Sequence, residues 1–199
     1  FTSDLADGNL ALPYDDSLIP DVQLSRLSLP STLLEQKIGQ KGMDPRTFFA
    51  VDFSVDSLTI GDKDLGALAF KLRPEVSGAA FNTIVGDMFG LRPGLFEEQP
   101  DTEFFWSYDG GKYSSRLIGP VGVDNIGDLF SGLNIPKVMD SKSGSVVFDL
   151  SWQDQPWKIT KENITGDFQI NLQDGSFYTS TGGAGAALKL VSLFNFANW

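Results

Sequence analysis

The feature that most constrains this fold is a two-residue alternation of apolar and polar side chains, which recurs along the whole chain. It is clearest in VVFDLSWQDQPW, where Val146, Phe148, Leu150 and Trp152 alternate with polar residues from Asp149 onward. Successive side chains of a β-strand point to opposite faces, so this spacing predicts a strand with one apolar and one solvated face. The function then depends on whether another part of the chain or a ligand covers the apolar face.

Similar runs, separated by Gly- and Asp-rich turn signals, predict about ten strands in an antiparallel meander. In the run that begins at Val51, the apolar phase slips at Asp56–Ser57, which predicts a β-bulge there. Further turns are predicted at the glycine-containing sites Asp7–Gly8, Gly61–Asp64, Asp109–Gly111 and Asp174–Gly175.

Helical spacing is rare, and it predicts two or three short helices: one after Ser31, one from Asp124 to Pro136, and one over Gly183–Trp199. The last segment is apolar, with Lys189 as its one charged residue. Its roughly 15 helical residues would span about 22 Å, which is less than the ~30 Å hydrocarbon core of a bilayer. We therefore expect a packing or interfacial helix and not a membrane span.

The composition excludes several classes of function. The formal net charge of −11 offers no basic patch for nucleic acid or for anionic lipid headgroups. The chain contains neither histidine nor cysteine, which excludes the usual zinc sites, Ser-His-Asp and Cys-His catalysis, and disulfides.

Several short motifs resemble parts of known active or binding sites, but each lacks residues that such a site needs. Gly183–Leu188 lacks the third glycine of a dinucleotide fingerprint, and Asp62–Asp64 lacks the remaining ligands of a calcium loop. The adjacent carboxylates Asp15–Asp16 and Glu97–Glu98 diverge in an extended chain, and Ser141–Ser143 lacks the Ser-x-x-Lys spacing. The sequence therefore predicts no enzyme: no catalytic residues, no metal and no cofactor.

Aromatic residues are abundant, with 16 Phe, 4 Trp and 4 Tyr. Alternating aromatics usually fill a β core, and this is the preferred interpretation for Phe48, Phe53 and Phe168. Trp152 and Trp157 flank a loop that contains proline, so a carbohydrate-stacking role at the surface stays open for them.

Several motifs follow one another in FDLSWQDQPWKITKENITGDFQINLQDGSFYTSTGGAGAALKLVSLFNF. They are Leu150–Trp152, Pro156, the strand from Ile164 to Leu172, Gly175, and Gly183–Gly185 before a Leu-rich segment. In this order they resemble the carboxy-terminal part of the YhdP branch of the AsmA-like envelope proteins. Ala186 stands where that family often has arginine, so no basic role is carried over to this position.

The resemblance implies a long protein anchored in the inner membrane of a Gram-negative bacterium, which crosses the periplasm as a curved, taco-shaped antiparallel β-groove. It implies a non-enzymatic bridge that moves phospholipid toward the outer membrane. The partners would be phospholipid acyl chains, the rest of the parent chain, and the membrane through parts outside this segment. Residues 1–199 would form a single groove segment excised from a longer protein. Its expected parts are a lead-in (1–47), a meander (48–120), a short helix (121–136), a hairpin (145–182) and an apolar helix (183–199).

On this hypothesis, nine residues line the lipid groove: Val146, Phe148, Leu150, Trp152, Phe168, Ile170, Leu172, Leu188 and Val191. Two alternatives remain. The chain could be a structural or interaction module that caps the end of such a groove, or a carbohydrate-binding β-domain. The position of Trp152 would distinguish the lipid-groove hypothesis from the capping module. If a Leu188–Phe196 helix covers Trp152, it is a cap residue. If Trp152 is exposed in a channel, it contacts lipid.

Overall fold

The computed structural model of the chain describes residues 1–15, 18–30, 43–88, 90–94, 100–127, 139–160 and 162–177. This part is mostly β, as the alternation predicts. The strands are β1 (Ala6–Ala11), β2 (Asp21–Leu29), β3 (Val51–Ile60), β4 (Lys63–Glu75), β5 (Gly78–Asp87), β6 (Leu91–Pro93), β7 (Thr102–Asp109), β8 (Lys112–Val123), β9 (Met139–Asp140), β10 (Ser143–Trp152), β11 (Ile164–Gln173) and β12 (Ser176–Phe177).

Ten of these strands form one open, curved sheet, in the order β1-β2-β3-β4-β5-β7-β8-β10-β11, with β6 paired to β8. Neighbours are antiparallel except β2 and β3, which are parallel. The prediction of a purely antiparallel meander is therefore wrong at this one pair. Parallel neighbours need a long crossover connection, and the chain between Leu29 and Val51 provides it.

Two local predictions are confirmed by the strand register. Val55 pairs with Leu68 and Leu58 with Gly66, so β3 has an extra residue at the predicted bulge. The turn between β7 and β8 is formed by Gly110 (φ 56°) and Gly111 (φ 82°), the left-handed pair that a tight hairpin requires.

Two predicted turns are wrong. Asp7–Gly8 is an irregularity inside β1, where the chain keeps its direction. A Cβ on Gly8 would lie 2.7 Å from the Cα of Leu24, so this glycine serves the close approach of β2. Asp174–Gly175 leads into β12, which pairs with β9 and not with β11.

Helical structure in the described residues consists of the 3-10 helix Pro45–Thr47 and the two residues Ile126–Gly127. Two or three short helices are therefore too many for this part of the chain. The predicted helices fall mostly in 31–42, 128–138 and 178–199, outside the described residues. Within the ranges that are described, no helix is long and apolar enough to cross a membrane. The division into parts stays a prediction.

One group of buried side chains holds β2 and β3 together, and we call Leu24, Val55 and Leu58 the core cluster. Their exposed fractions are 7%, 2% and 8%. Partly buried neighbours, among them Phe53 and Leu68, pack around them. The core cluster lies near one edge of the sheet, and it packs β3 against β2.

Candidate functional site

The strand register gives the main sheet two chemically different faces. Side chains of register partners point to the same side of a sheet. Phe53 pairs with Phe70, Phe81 with Phe104, and Leu117 with Leu150. Phe104 in turn pairs with Leu117, which links these pairs into one face. We call this side the apolar face.

We call the opposite side of the sheet the charged face. It carries the side chains that alternate along each strand with those of the apolar face. Three ion pairs join neighbouring strands there: Asp7–Arg26 at 2.8 Å, Asp52–Arg73 at 2.6 Å and Asp149–Arg116 at 2.6 Å. The hydrogen bond from Arg116 lowers the pKa of the Asp149 carboxyl, and the same contact raises the pKa of Arg116. These three pairs thus place their charges on the side of the sheet opposite the large aromatic side chains of the apolar face.

Four phenylalanine rings form a continuous aromatic row across the apolar face: Phe53, Phe70, Phe81 and Phe104. Consecutive ring centroids are 5.0, 5.3 and 5.6 Å apart, within the range of favourable aromatic pairs. The row continues to Trp152, whose centroid lies 6.0 Å from that of Phe104. From β3 to β10 it crosses the strands over about 24 Å, at about 4.8 Å per neighbouring strand.

All four phenylalanines of the aromatic row are half-buried. A second register shift, between Phe81 and Ile84, keeps both of these side chains on the apolar face. Within the shift, Thr83 adopts a positive φ of 51°, and its hydroxyl donates to Asp101 Oδ2 at 3.0 Å. The backbone therefore accepts an unfavourable conformation at a β-branched residue, which keeps the apolar face continuous.

The two flanks of the aromatic row are covered. On one flank, the 3-10 helix contacts β4, β5 and β7, and the Phe48 ring meets Trp106 at 5.5 Å in an edge-to-face arrangement. On the other flank, Val121, Val123 and Ile126 are buried. The partly open row thus lies between two closed margins, which is the geometry of a trough.

The flank next to the 3-10 helix, which we call the first flank, is formed by tryptophan side chains and by the loop after β10. Trp106 and Trp152 are 4% and 5% exposed, and the Trp157 ring contacts Trp106 at 5.3 Å. The Tyr113 ring lies 6.4 Å from that of Trp106, and burial raises the pKa of its hydroxyl. Trp152 is covered by its own loop, because its Nε1 donates to the Gln155 carbonyl at 3.0 Å.

The structure brings most of the predicted groove residues together. Val146, Phe148 and Leu150 are half-buried on β10. Their neighbours on β11 follow in register: Val146 opposite Ile170, Phe148 opposite Phe168, and Gly144 opposite Leu172. Trp152 is at the same face but buried, and Leu188 and Val191 lie outside the described residues. A lipid-lining role for these residues stays a prediction.

Sequence reasoning missed the aromatic row. It assigned Phe53 to the core and did not single out Phe70, Phe81 or Phe104 as site residues. The available signal was one large aromatic residue in the apolar phase of each successive run. Their contact depends on strand register and on two bulges, which alternation alone does not specify.

Two of the motifs considered for catalysis, Asp62–Asp64 and Ser141–Ser143, lie within the described residues and have structural partners. The others, Asp15–Asp16, Glu97–Glu98 and Gly183–Leu188, include residues outside the described ranges. Asp64 Oδ1 accepts from the Gly66 backbone N–H at 2.9 Å, within the register shift near the start of β4. The buried Ser141 hydroxyl accepts from Ile126 N–H at 3.3 Å, while Lys142 pairs with Asp174 at 3.2 Å. Among the described residues, no three His, Cys, Asp or Glu side chains are grouped so that they could hold a metal.

A shallow depression of about 530 Å³ lies beside the Asp149–Arg116 pair. Ile118, Val147 and Asp167 contribute to its lining, so it opens mainly on the charged face. It is therefore separate from the aromatic row.

A family model described as YhdP protein matches residues 2–198. The chain belongs to the YhdP family. The match confirms the resemblance seen in the carboxy-terminal motifs, extends it over nearly the whole chain, and makes this a YhdP-like envelope protein. YhdP proteins are not a known family of enzymes. Comparisons with curated proteins and with solved structures gave no match.

Proposed function

We propose that this YhdP-family chain is a non-enzymatic, lipid-binding segment of a periplasmic bridge anchored in the inner membrane. Its aromatic row would hold phospholipid acyl chains on their way between the inner and outer membranes. The observation that carries the proposal is the row itself: four contacting phenylalanine rings that are half-buried on an otherwise apolar face.

The sheet leaves part of each phenylalanine ring of the aromatic row uncovered. A phenylalanine ring buries 150–250 Å² when fully covered, worth about 4–6 kcal/mol at about 25 cal/mol per Å². A half-buried ring leaves about half of that gain unrealised, roughly 2–3 kcal/mol. An acyl chain laid along the row would recover part of it at each ring.

The length and uniformity of the row favour conduction over storage. Its rings repeat at nearly equal spacing, so a chain that slides by one strand exchanges one set of contacts for a similar set. Such weak and repeated contacts avoid a single deep minimum that would trap the lipid. The charged face, with its cross-strand ion pairs, would face solvent.

A second candidate function, a module that caps the end of a groove, is favoured by the covered flank. There the loop 153–157 and the 3-10 helix already bury Trp106 and Trp152. The carbohydrate-binding alternative is weakened for Trp152, because a stacking platform needs an exposed ring and this one is 5% exposed.

The test is lipid retention by the purified protein. Phe70→Ser with Phe81→Ser places two hydroxyls in the middle of the row, and Phe105→Ser is the matched control on the charged face of β7. Lipid is extracted from each protein and quantified by mass spectrometry. The proposal predicts bound phospholipid in the wild type and in Phe105→Ser, and a severalfold loss in the double variant. Equal lipid in all three, or none in the wild type, would refute it.

A further inference from the structure

The first flank of the aromatic row contains a compact group that we call the tryptophan cluster: Trp106, Trp152, Gln155 and Trp157. It adjoins the row directly, since Trp152 lies 6.0 Å from Phe104 between ring centroids. Trp106 and Trp157 meet edge to face, with an interplanar angle of 78°. The cluster is thus the place where the apolar trough meets polar groups.

Two hydrogen bonds hold the loop after β10 over this cluster. Trp152 Nε1 donates to the Gln155 carbonyl at 3.0 Å, and the Ser115 hydroxyl donates to the Asp154 carbonyl at 2.9 Å. Gln155 is 5% exposed and Ser115 is 2% exposed. Both bonds join the segment 153–158 to the sheet through its backbone.

The cluster also contains three buried polar atoms that have no hydrogen-bond partner among the described residues: Trp106 Nε1, Trp157 Nε1 and Gln155 Oε1. Buried polar groups are nearly always paired, and leaving one unpaired is unfavourable. An indole N–H can only donate. Two indoles in ring contact therefore lack an acceptor at the margin of an apolar trough.

We propose that the tryptophan cluster is a subsite for the ester carbonyl oxygens of a diacyl glycerophospholipid. The segment 153–158 lifts from the sheet, the N–H groups of Trp106 and Trp157 donate to the ester, and the acyl chain lies along the aromatic row. This inference rests on the proposed lipid-binding function. Tryptophan suits such a position because its ring prefers an apolar environment and its N–H a polar one.

The charges around the cluster favour an ester over a phosphate. Lys158 Nζ lies 3.7 Å from Asp154 Oδ1, and Arg46 is bound to Asp44 at 2.6 Å. The Arg46 guanidinium also stacks on Tyr108, with 4.8 Å to the ring centroid. Both cations are therefore already matched by carboxylates, and the remaining donors are neutral indoles, which suit a neutral carbonyl oxygen.

The test compares two lipids with the same headgroup and chain length: diacyl phosphatidylethanolamine and its dialkyl ether analogue, which lacks both carbonyls. Their affinities for the complete protein are measured for the wild type and for Trp106→Phe and Trp157→Phe. Both variants keep an aromatic ring and remove an N–H. Tyr14→Phe is the control, because it removes one hydroxyl from a fully exposed aromatic ring outside the tryptophan cluster.

We expect Trp106→Phe and Trp157→Phe to weaken diacyl lipid binding about two- to tenfold, the usual range for one lost hydrogen bond. Ether lipid affinity should be the same in these variants as in the wild type. Because both lipids meet the same variant, a general folding defect would lower both affinities together. Equal losses for both lipids, or no loss for either, would overturn the ester subsite. Failure of the wild type to bind either lipid would instead refute the proposed function.

Discussion

The core cluster and the aromatic row lie side by side on the same face of one sheet, yet they differ in cover. Val55 and Leu58 of the core cluster are 2% and 8% exposed, whereas Phe70 and Phe81 of the row are half-buried. Phe53 belongs to the row and also packs against the core cluster, so the two regions are continuous. Both regions consist of apolar side chains, so polarity does not separate them. What differs is how much of each region the chain itself covers. On the proposed function, the covered region supplies stability and the partly open region binds lipid.

The largest expected effect is on the core side of this comparison. Leu58→Ala should lower the free energy of unfolding by about 2–5 kcal/mol, because it leaves a cavity in a buried site. Chemical denaturation followed by circular dichroism measures the change. Lipid bound per folded molecule should stay at the wild-type level. A variant that folds normally but loses lipid would break the division between the two regions.

The next effect is on the row. Phe81→Ala should lower the free energy of unfolding by about 2 kcal/mol, roughly half of the loss for a fully buried phenylalanine. This variant should also respond less than the wild type to added lipid. A short-chain phospholipid below its micelle concentration should raise the melting temperature of the wild type more than that of the variant. Equal shifts in both proteins would show that the ring at position 81 does not take part in binding.

The smallest effect concerns the charged face. Hydrogen bonding from Arg116 holds the pKa of Asp149 below its ordinary value of 3.8. A carboxyl whose pKa is lower in the folded state contributes stability above the unfolded pKa, and this is lost as the pH falls through the folded pKa. NMR titration should show Asp149 titrating below its ordinary value, and in Arg116→Gln the pKa of Asp149 should return toward that value. An unchanged Asp149 pKa in that variant would show that the pair does not form in solution.

Local periodicity was enough to predict the strands and some of their irregularities. The bulge at Asp56–Ser57 and the Gly110–Gly111 turn each follow from a few neighbouring residues. The parallel β2–β3 pair and the β9–β12 pair join segments far apart in the chain, which a repeating pattern does not encode.

The site was harder to predict than the strands. Val146, Phe148 and Leu150 could be placed on one face because they share a strand. The aromatic row takes one residue from each of several strands, so its existence depends on every register between them. Trp152 is buried by the loop that follows it, where its Nε1 donates to the Gln155 carbonyl. A short polar loop has no repeating pattern from which this contact could be predicted.

If acyl chains lie on the aromatic row, two neighbouring residues of β7 should differ in their contact with lipid. Phe104 belongs to the row, while Phe105 pairs with Arg116 on the charged face. Each is replaced in turn by the photo-crosslinker p-benzoylphenylalanine in the complete protein, in cells grown with labelled phospholipid. After irradiation, we expect labelled lipid attached to the protein at position 104 and little at position 105. Equal labelling at the two positions, or labelling at 105 alone, would contradict it.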